Sequence, residues 1–206
     1  MSLLRKPAGL AALTLAALTA LPGCAPLLLG GAVVGGVMVA ADRRTAGAQL
    51  EDQGIELKAA NRIKEMATLA HVNVTSYNRM VLLTGEVPGE AERGAIEQAV
   101  AKVENVRTIV NELAVAGSSS MTSRSNDVLL STKVKASLVD AKDVPASAFK
   151  VVTERATVYL MGRVSEREAA RAAQLASTVP GVQKVVRVFE IVSEDELARL
   201  QPSAAK

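Results

Sequence analysis

One cysteine, Cys24, and one histidine, His71, are the side chains with the most chemistry to offer in this 206-residue chain. Neither has the company that catalysis or metal binding needs. A zinc-type site draws on several His, Cys or carboxylate ligands, and a second histidine or cysteine to join either residue is absent from the sequence. A nucleophile activated by imidazole would have to route through His71. That residue opens the alternating run HVNVTSY (His71–Tyr77) and reads as a strand-end imidazole. Glu90, Glu92, Glu166 and Glu168 fall where helices start, so they read as charges that favour the helix dipole rather than as an acid–base pair. The glycines of GEVPGEAERG (Gly85–Gly94) lack the spacing and the Lys-Ser/Thr of a phosphate loop. The chain carries no visible catalyst, and neither metal, cofactor nor small-molecule substrate is expected.

Cys24 makes sense in another way. Arg5 and Lys6 form a short positive stretch, and Ala8–Ala20 is an apolar run too short to cross a hydrocarbon core of ~30 Å. Leu21-Pro22-Gly23-Cys24 then resembles the lipobox of bacterial lipoproteins, in which the cysteine becomes the lipidated first residue of the mature chain. A lone free thiol would be an odd leftover in an oxidising compartment, and lipidation accounts for it. Acyl chains such as palmitate, at ~0.8 kcal/mol per buried CH₂, would hold the protein on a bilayer. Ala25 stands where inner-membrane lipoproteins usually have Asp, so the resemblance implies the outer membrane of a Gram-negative bacterium, on the periplasmic side. Residues 1–23 are expected to be the signal peptide. Residues 25–41 are apolar but hold four glycines in 17 positions. They read as part of a flexible stalk, residues 24–50, in preference to a transmembrane helix.

The elements that follow come twice. Gly85 and Val87 match Gly162 and Val164 at an offset of 77. Val103, Val106, Ile109 and Val110 match Val179, Val182, Val185 and Val186 at 76. Upstream, Ile55, Lys58, Ala59 and Ile63 match Leu130, Lys133, Val134 and Leu138 at 75. Each unit begins with a helix whose apolar stripe is Ile55, Ala59, Ile63 or Leu130, Val134, Leu138. Two alternating strands follow, with polar breaks at Asn78-Arg79 and Glu154-Arg155. A second helix spans Glu90–Lys102 or Glu166–Thr178, Ser165 capping the latter, and a β-rich run ends each unit. The expectation is α+β: two tandem αββαβ domains, each a small three-stranded sheet with two helices on one face. The domains are placed at residues 51–116 and 126–192. Residues 117–125, small and polar, are read as a linker, and residues 193–206 as a short helix and tail with Ser193 and Glu196 as a capping box. Units of this size have marginal cores, so packing between the copies should add stability.

The element order, the glycine after an apolar strand and the ending VPGVQKVVRV (Val179–Val188) resemble the BON domain, and two copies behind a lipobox resemble the dual-BON outer-membrane lipoproteins. The most specific pieces are DRRTAGAQLED (Asp42–Asp52), SNDVLLSTKVKASL (Ser125–Leu138) and VYLMGRVSEREA (Val158–Ala169). The resemblance implies binding of anionic phospholipid, such as phosphatidylglycerol, through the first helix of the second domain, together with support of envelope integrity and no enzymatic activity. The binding residues would be Val128, Leu129, Thr132, Lys133, Lys135 and Ala136. The family helix can carry Trp where this chain has Leu129, and this chain has no Trp. Insertion should therefore be weaker.

The residues point the same way. Asp52–Val115 holds 7 basic and 9 acidic residues, whereas Asn126–Val192 holds 10 basic and 7 acidic. Leu129 lies about 100° around the helix from the core stripe, with Lys133 one turn on and Lys135 beyond. An apolar residue flanked by lysines is what contact with anionic headgroups needs. The same features fit Leu129 packed against the first domain and an ordinary solvated lysine face. Two functions compete: a lipid-binding module, and a lipid-tethered adaptor for other proteins, outer-membrane assembly proteins being the candidate partners. Without the leader the chain is nearly charge-balanced, so nucleic acid is not expected as a partner.

Overall fold

Residues 42–67 and 70–200 are described by a computed structural model. The repeat seen in the sequence becomes two αββαβ units. In the first, helix α1 (Ala46–Met66) leads to strands β1 (His71–Tyr77) and β2 (Met80–Val87), helix α2 (Glu90–Ala101) and the short strands β3 (Thr108–Asn111) and β4 (Ala114–Val115). In the second, α3 (Met121–Asp140) leads to β5 (Lys150–Glu154), β6 (Thr157–Val164), α4 (Glu166–Ser177) and β7 (Lys184–Ile191). A last helix, α5 (Glu194–Leu200), follows. The middle strand of each sheet pairs antiparallel with the strand before it and parallel with the strand after it.

Consecutive apolar residues on β2 and β6 explain how the units combine. Val81 and Leu83 point to one face of β2 and pack with Ile55, Ala59, Ile96 and Val100 of the helices. Val158 and Leu160 do the same against Val134, Leu138, Ala172 and Ala176. The residues between them turn the other way, as the strand period of two requires. Leu82, Tyr159, Met161, Tyr77 and Val188 form a third core between the two sheets. The molecule is thus four layers, helix–sheet–sheet–helix, with all five of these residues buried. A run such as Val-Leu-Leu needs both faces of its strand covered.

The glycines matched by the repeat sit where side chains do not fit. Gly85 has φ +115°, and a Cβ there would fall 2.0 Å from the carbonyl oxygen of His71. A Cβ on Gly162 would fall 2.4 Å from that of Ala148. At Ser165 the expected cap is a complete capping box: its hydroxyl accepts the Glu168 N–H, and the Glu168 carboxylate accepts the Ser165 N–H. Replacing Ser165 with alanine should cost about 1 kcal/mol, read as a lower denaturation midpoint with unchanged slope. Ser193 likewise accepts the Glu196 N–H at 3.2 Å, but the Glu196 carboxylate is held by Arg163 at 2.9 Å.

Four boundaries differ from the sequence reading. The stalk drawn to residue 50 is too long, because α1 begins at Ala46 with Thr45 as its cap, accepting the Ala48 N–H at 3.1 Å. The linker drawn over 117–125 is too long at its end, because Ser120 caps α3 and residues from Met121 on are helical. Small polar residues mark a helix start as readily as a linker. The second hairpin turns on Arg155-Ala156, at φ +50° and +57°, one residue later than expected. The third strand of the first sheet is split, since Leu113 turns into the helix-side core and its N–H is taken by the Asn111 side chain at 3.2 Å.

Candidate functional site

Helix α3 is held by its inner face. Leu130, Val134 and Leu138 are buried, the last two within the second domain's core. One turn earlier Asp127, also buried, accepts the backbone N–H groups of Arg155 and Ala156 at 2.9 and 2.8 Å, clamping the helix to the left-handed hairpin turn. Asp52 does the same in the first domain, accepting the Asn78 and Arg79 N–H groups at 2.7 and 2.8 Å. Asp52 and Asp127 are themselves a matched pair, 75 residues apart. The sequence reading passed over them, although each sits three residues before the first apolar position of its stripe.

With the inner face fixed, the outer face is set. Val128, Leu129, Thr132, Lys133, Lys135 and Ala136 are all exposed. At about 3.6 residues per turn they share one arc of about 160°, with Lys133 and Lys135 at opposite edges. Val128 is 66% and Leu129 58% exposed, and Met121 and Val139 extend the apolar strip along the same face. Leu129 therefore does not serve as packing against the first domain. Among the described residues neither lysine has an acidic partner, and Thr132 bonds only back to the Val128 carbonyl at 3.0 Å. Lys58, which matches Lys133 on α1, is instead paired with Glu104 at 2.7 Å.

Beside Leu129 and Lys133 lies a groove of about 720 Å³, whose rim includes Ser120, Asp127, Arg155 and Gln183. Arg155 thus adds a third cation to this side of the molecule. It was missed because it comes from the hairpin tip, 22 residues after Lys133.

Two arginines before α1 tie this lead-in to the two domains, Arg43 to the second and Arg44 to the first. Arg43, in the segment before α1, is buried and grips the Glu168 carboxylate with both guanidinium nitrogens, at 2.7 and 2.8 Å, while also donating to the Arg163 carbonyl at 2.9 Å. Arg44 lies over the Tyr77 ring, 4.1 Å from its centroid, and reaches Asp52 at 2.9 Å. Burial works against the charge of Glu168, but Arg43 and the Ser165 N–H outweigh it and hold the carboxyl below its usual range.

Cys24, the expected lipid anchor, and the apolar stretch after it lie outside the described residues. Among the described residues no helix is long and apolar enough to cross a membrane.

The BON domain family matches residues 51–117 and 126–193. The outer membrane lipoprotein DolP of Haemophilus influenzae is 36% identical over 182 residues, spanning 87% of this chain and 94% of the relative. The 21 kDa hemolysin of Actinobacillus pleuropneumoniae is 34% identical over 154 residues, 73% of this chain and 79% of the relative. With both repeats matched and the whole two-domain body shared, the chain belongs to the BON-domain family, as a dual-BON outer-membrane lipoprotein of the DolP type.

Proposed function

We propose that this lipoprotein binds anionic phospholipid through the outer face of α3, held in place by lipid on Cys24, and that it supports envelope integrity by this contact without catalysing a reaction. The observation that carries the reading is the pairing difference at matched positions: Lys133 faces solvent beside exposed Leu129, whereas Lys58 is neutralised by Glu104. A free lysine near an anionic surface contributes ~1 kcal/mol and a newly buried leucine ~2 kcal/mol. Such a contact is weak alone. Tethering converts it into an intramolecular event at high effective concentration.

A second reading, a tethered adaptor for other envelope proteins, draws on the exposed Leu50 and Leu57 of α1 in the more acidic domain. Vesicle co-sedimentation separates the two. The soluble chain from Asp42, which keeps Arg43 and Arg44, should sediment with phosphatidylglycerol vesicles and not with phosphatidylcholine, less so at physiological salt. Leu129→Glu should weaken binding at least about tenfold, the equivalent of ~1.4 kcal/mol, with the melting temperature unchanged. Equal binding to both lipids, or indifference to Leu129→Glu, would remove the lipid reading and leave the adaptor.

A further inference from the structure

His71 and Glu86 are cross-strand partners at the open end of the β1–β2 hairpin. The packing of the two sheets carries Glu154, the last residue of β5, up against them. One ligand atom from each of the three side chains lies within 4.8 Å of the other two. The Glu86 side chain is fully buried, with Oε2 3.2 Å from His71 Nδ1 and accepting the Ser119 N–H at 3.2 Å. Its second oxygen, Oε1, is buried with no hydrogen-bond partner. A cation, the Arg155 guanidinium, stands 3.7 Å away on a half-exposed side chain. Glu154 is also buried, accepting from Asn73 Nδ2 at 2.9 Å. Burial pushes its carboxyl above the usual range, and the Asn73 bond and nearby His71 only partly hold it back. A small pocket of about 180 Å³, lined by His71, Asn73, Asp127, Glu154 and, among the cations, Arg124, opens His71 and Glu154 to solvent, with Glu86 behind them.

We propose that His71, Glu86 and Glu154 bind one divalent transition-metal ion of the zinc class, which pins the first domain to the second. A metal was not expected because a second histidine or cysteine to join His71 is absent, yet carboxylates also serve as ligands. Here two come from one hairpin and the third from the other domain. Buried orphan carboxylate oxygens call for an explanation, and a cation between two carboxylates supplies it. One imidazole with two carboxylates suits zinc, with three protein ligands and a fourth position open to water from the pocket. Calcium and magnesium prefer all-oxygen shells of higher coordination. Ligand atoms around a tetrahedral zinc at about 2.1 Å sit about 3.4 Å apart, so the side chains must draw in by about an ångström. The two carboxylates balance the dication, and Arg155 has room to turn outward as the ion takes its place.

The test uses the mature lipidated chain in detergent, stripped with chelator, then titrated with zinc chloride by calorimetry and melted with and without zinc. One equivalent should bind and raise the melting temperature, and magnesium should do neither. His71→Ala and Glu154→Gln should each weaken zinc binding at least about tenfold. The metal-free melts report whether each variant is folded, and Glu154→Gln carries the test should His71→Ala not fold. Since His71 is the only histidine and Cys24, the only cysteine, is blocked by lipid, no other imidazole or thiol competes. Zinc binding unchanged in the folded variants, or no saturable binding up to millimolar zinc, overturns the proposal.

Discussion

Replacing Asp52 with alanine is expected to lower stability by about 3–5 kcal/mol, the range for breaking a buried charged network. This carboxylate accepts from the Ser76 hydroxyl at 2.7 Å, from the Asn78 and Arg79 N–H groups and from Arg44. Its loss strands the Ser76 hydroxyl and both turn N–H groups, on residues with φ +50° and +67°, and leaves Arg44 to Asp42 alone among the carboxylates. Chemical denaturation at neutral pH reads the change, and a cost under about 1 kcal/mol would show that the turn holds itself. The pH dependence gives a second signature. Burial opposes the charge of Asp52, but the Arg79 N–H, the Ser76 hydroxyl, the Asn78 N–H and Arg44 outweigh it and hold the carboxyl below its usual range. Its stabilisation is therefore complete above the unfolded-state value, about pH 4, and is lost as pH falls through the lower folded-state value. The alanine variant should lose less stability than the parent across that acid window.

Arg43→Ala is expected to cost as much, about 3–5 kcal/mol, because it leaves the buried Glu168 carboxylate without its bidentate partner. Replacing both residues should cost less than replacing the arginine alone, since the stranded charge goes too. The pair also joins the lead-in of the first domain to the start of α4 in the second. A chain beginning at Thr45, which lacks both Arg43 and Arg44, should accordingly melt below one beginning at Asp42. Equal melting temperatures would mean that the sheet-to-sheet core alone sets the stability.

The repeat was legible because strands and helices announce themselves by period, and the matches at Gly85/Gly162 and Ala59/Val134 fall on the residues that the fold needs most. The exposed face of α3 was legible for the same reason: once Leu130, Val134 and Leu138 are inside, Leu129 and Lys133 are outside. What escaped was polar and long-range. Asp52 and Asp127 sit on buried stripes where apolar residues are sought, and their purpose appears only when a turn two dozen residues later folds against them. Arg155-Ala156 takes a positive φ that neither residue type favours, and Asp127 makes it tolerable. Arg43 reads as part of a stalk until Glu168, 125 residues away, arrives. The His71–Glu86–Glu154 cluster needs three segments and both domains.

Back-to-back packing of the sheets gives the body two outsides, one tiled by α1 and α2 and the other by α3 and α4. A flat bilayer can meet only one of them at a time. Under the lipid contact proposed above, a bilayer against the second repeat would leave the first turned toward the aqueous space, with Leu50 and Leu57 presented there. Duplication followed by this packing makes a unit with one helical surface into a molecule with a front and a back.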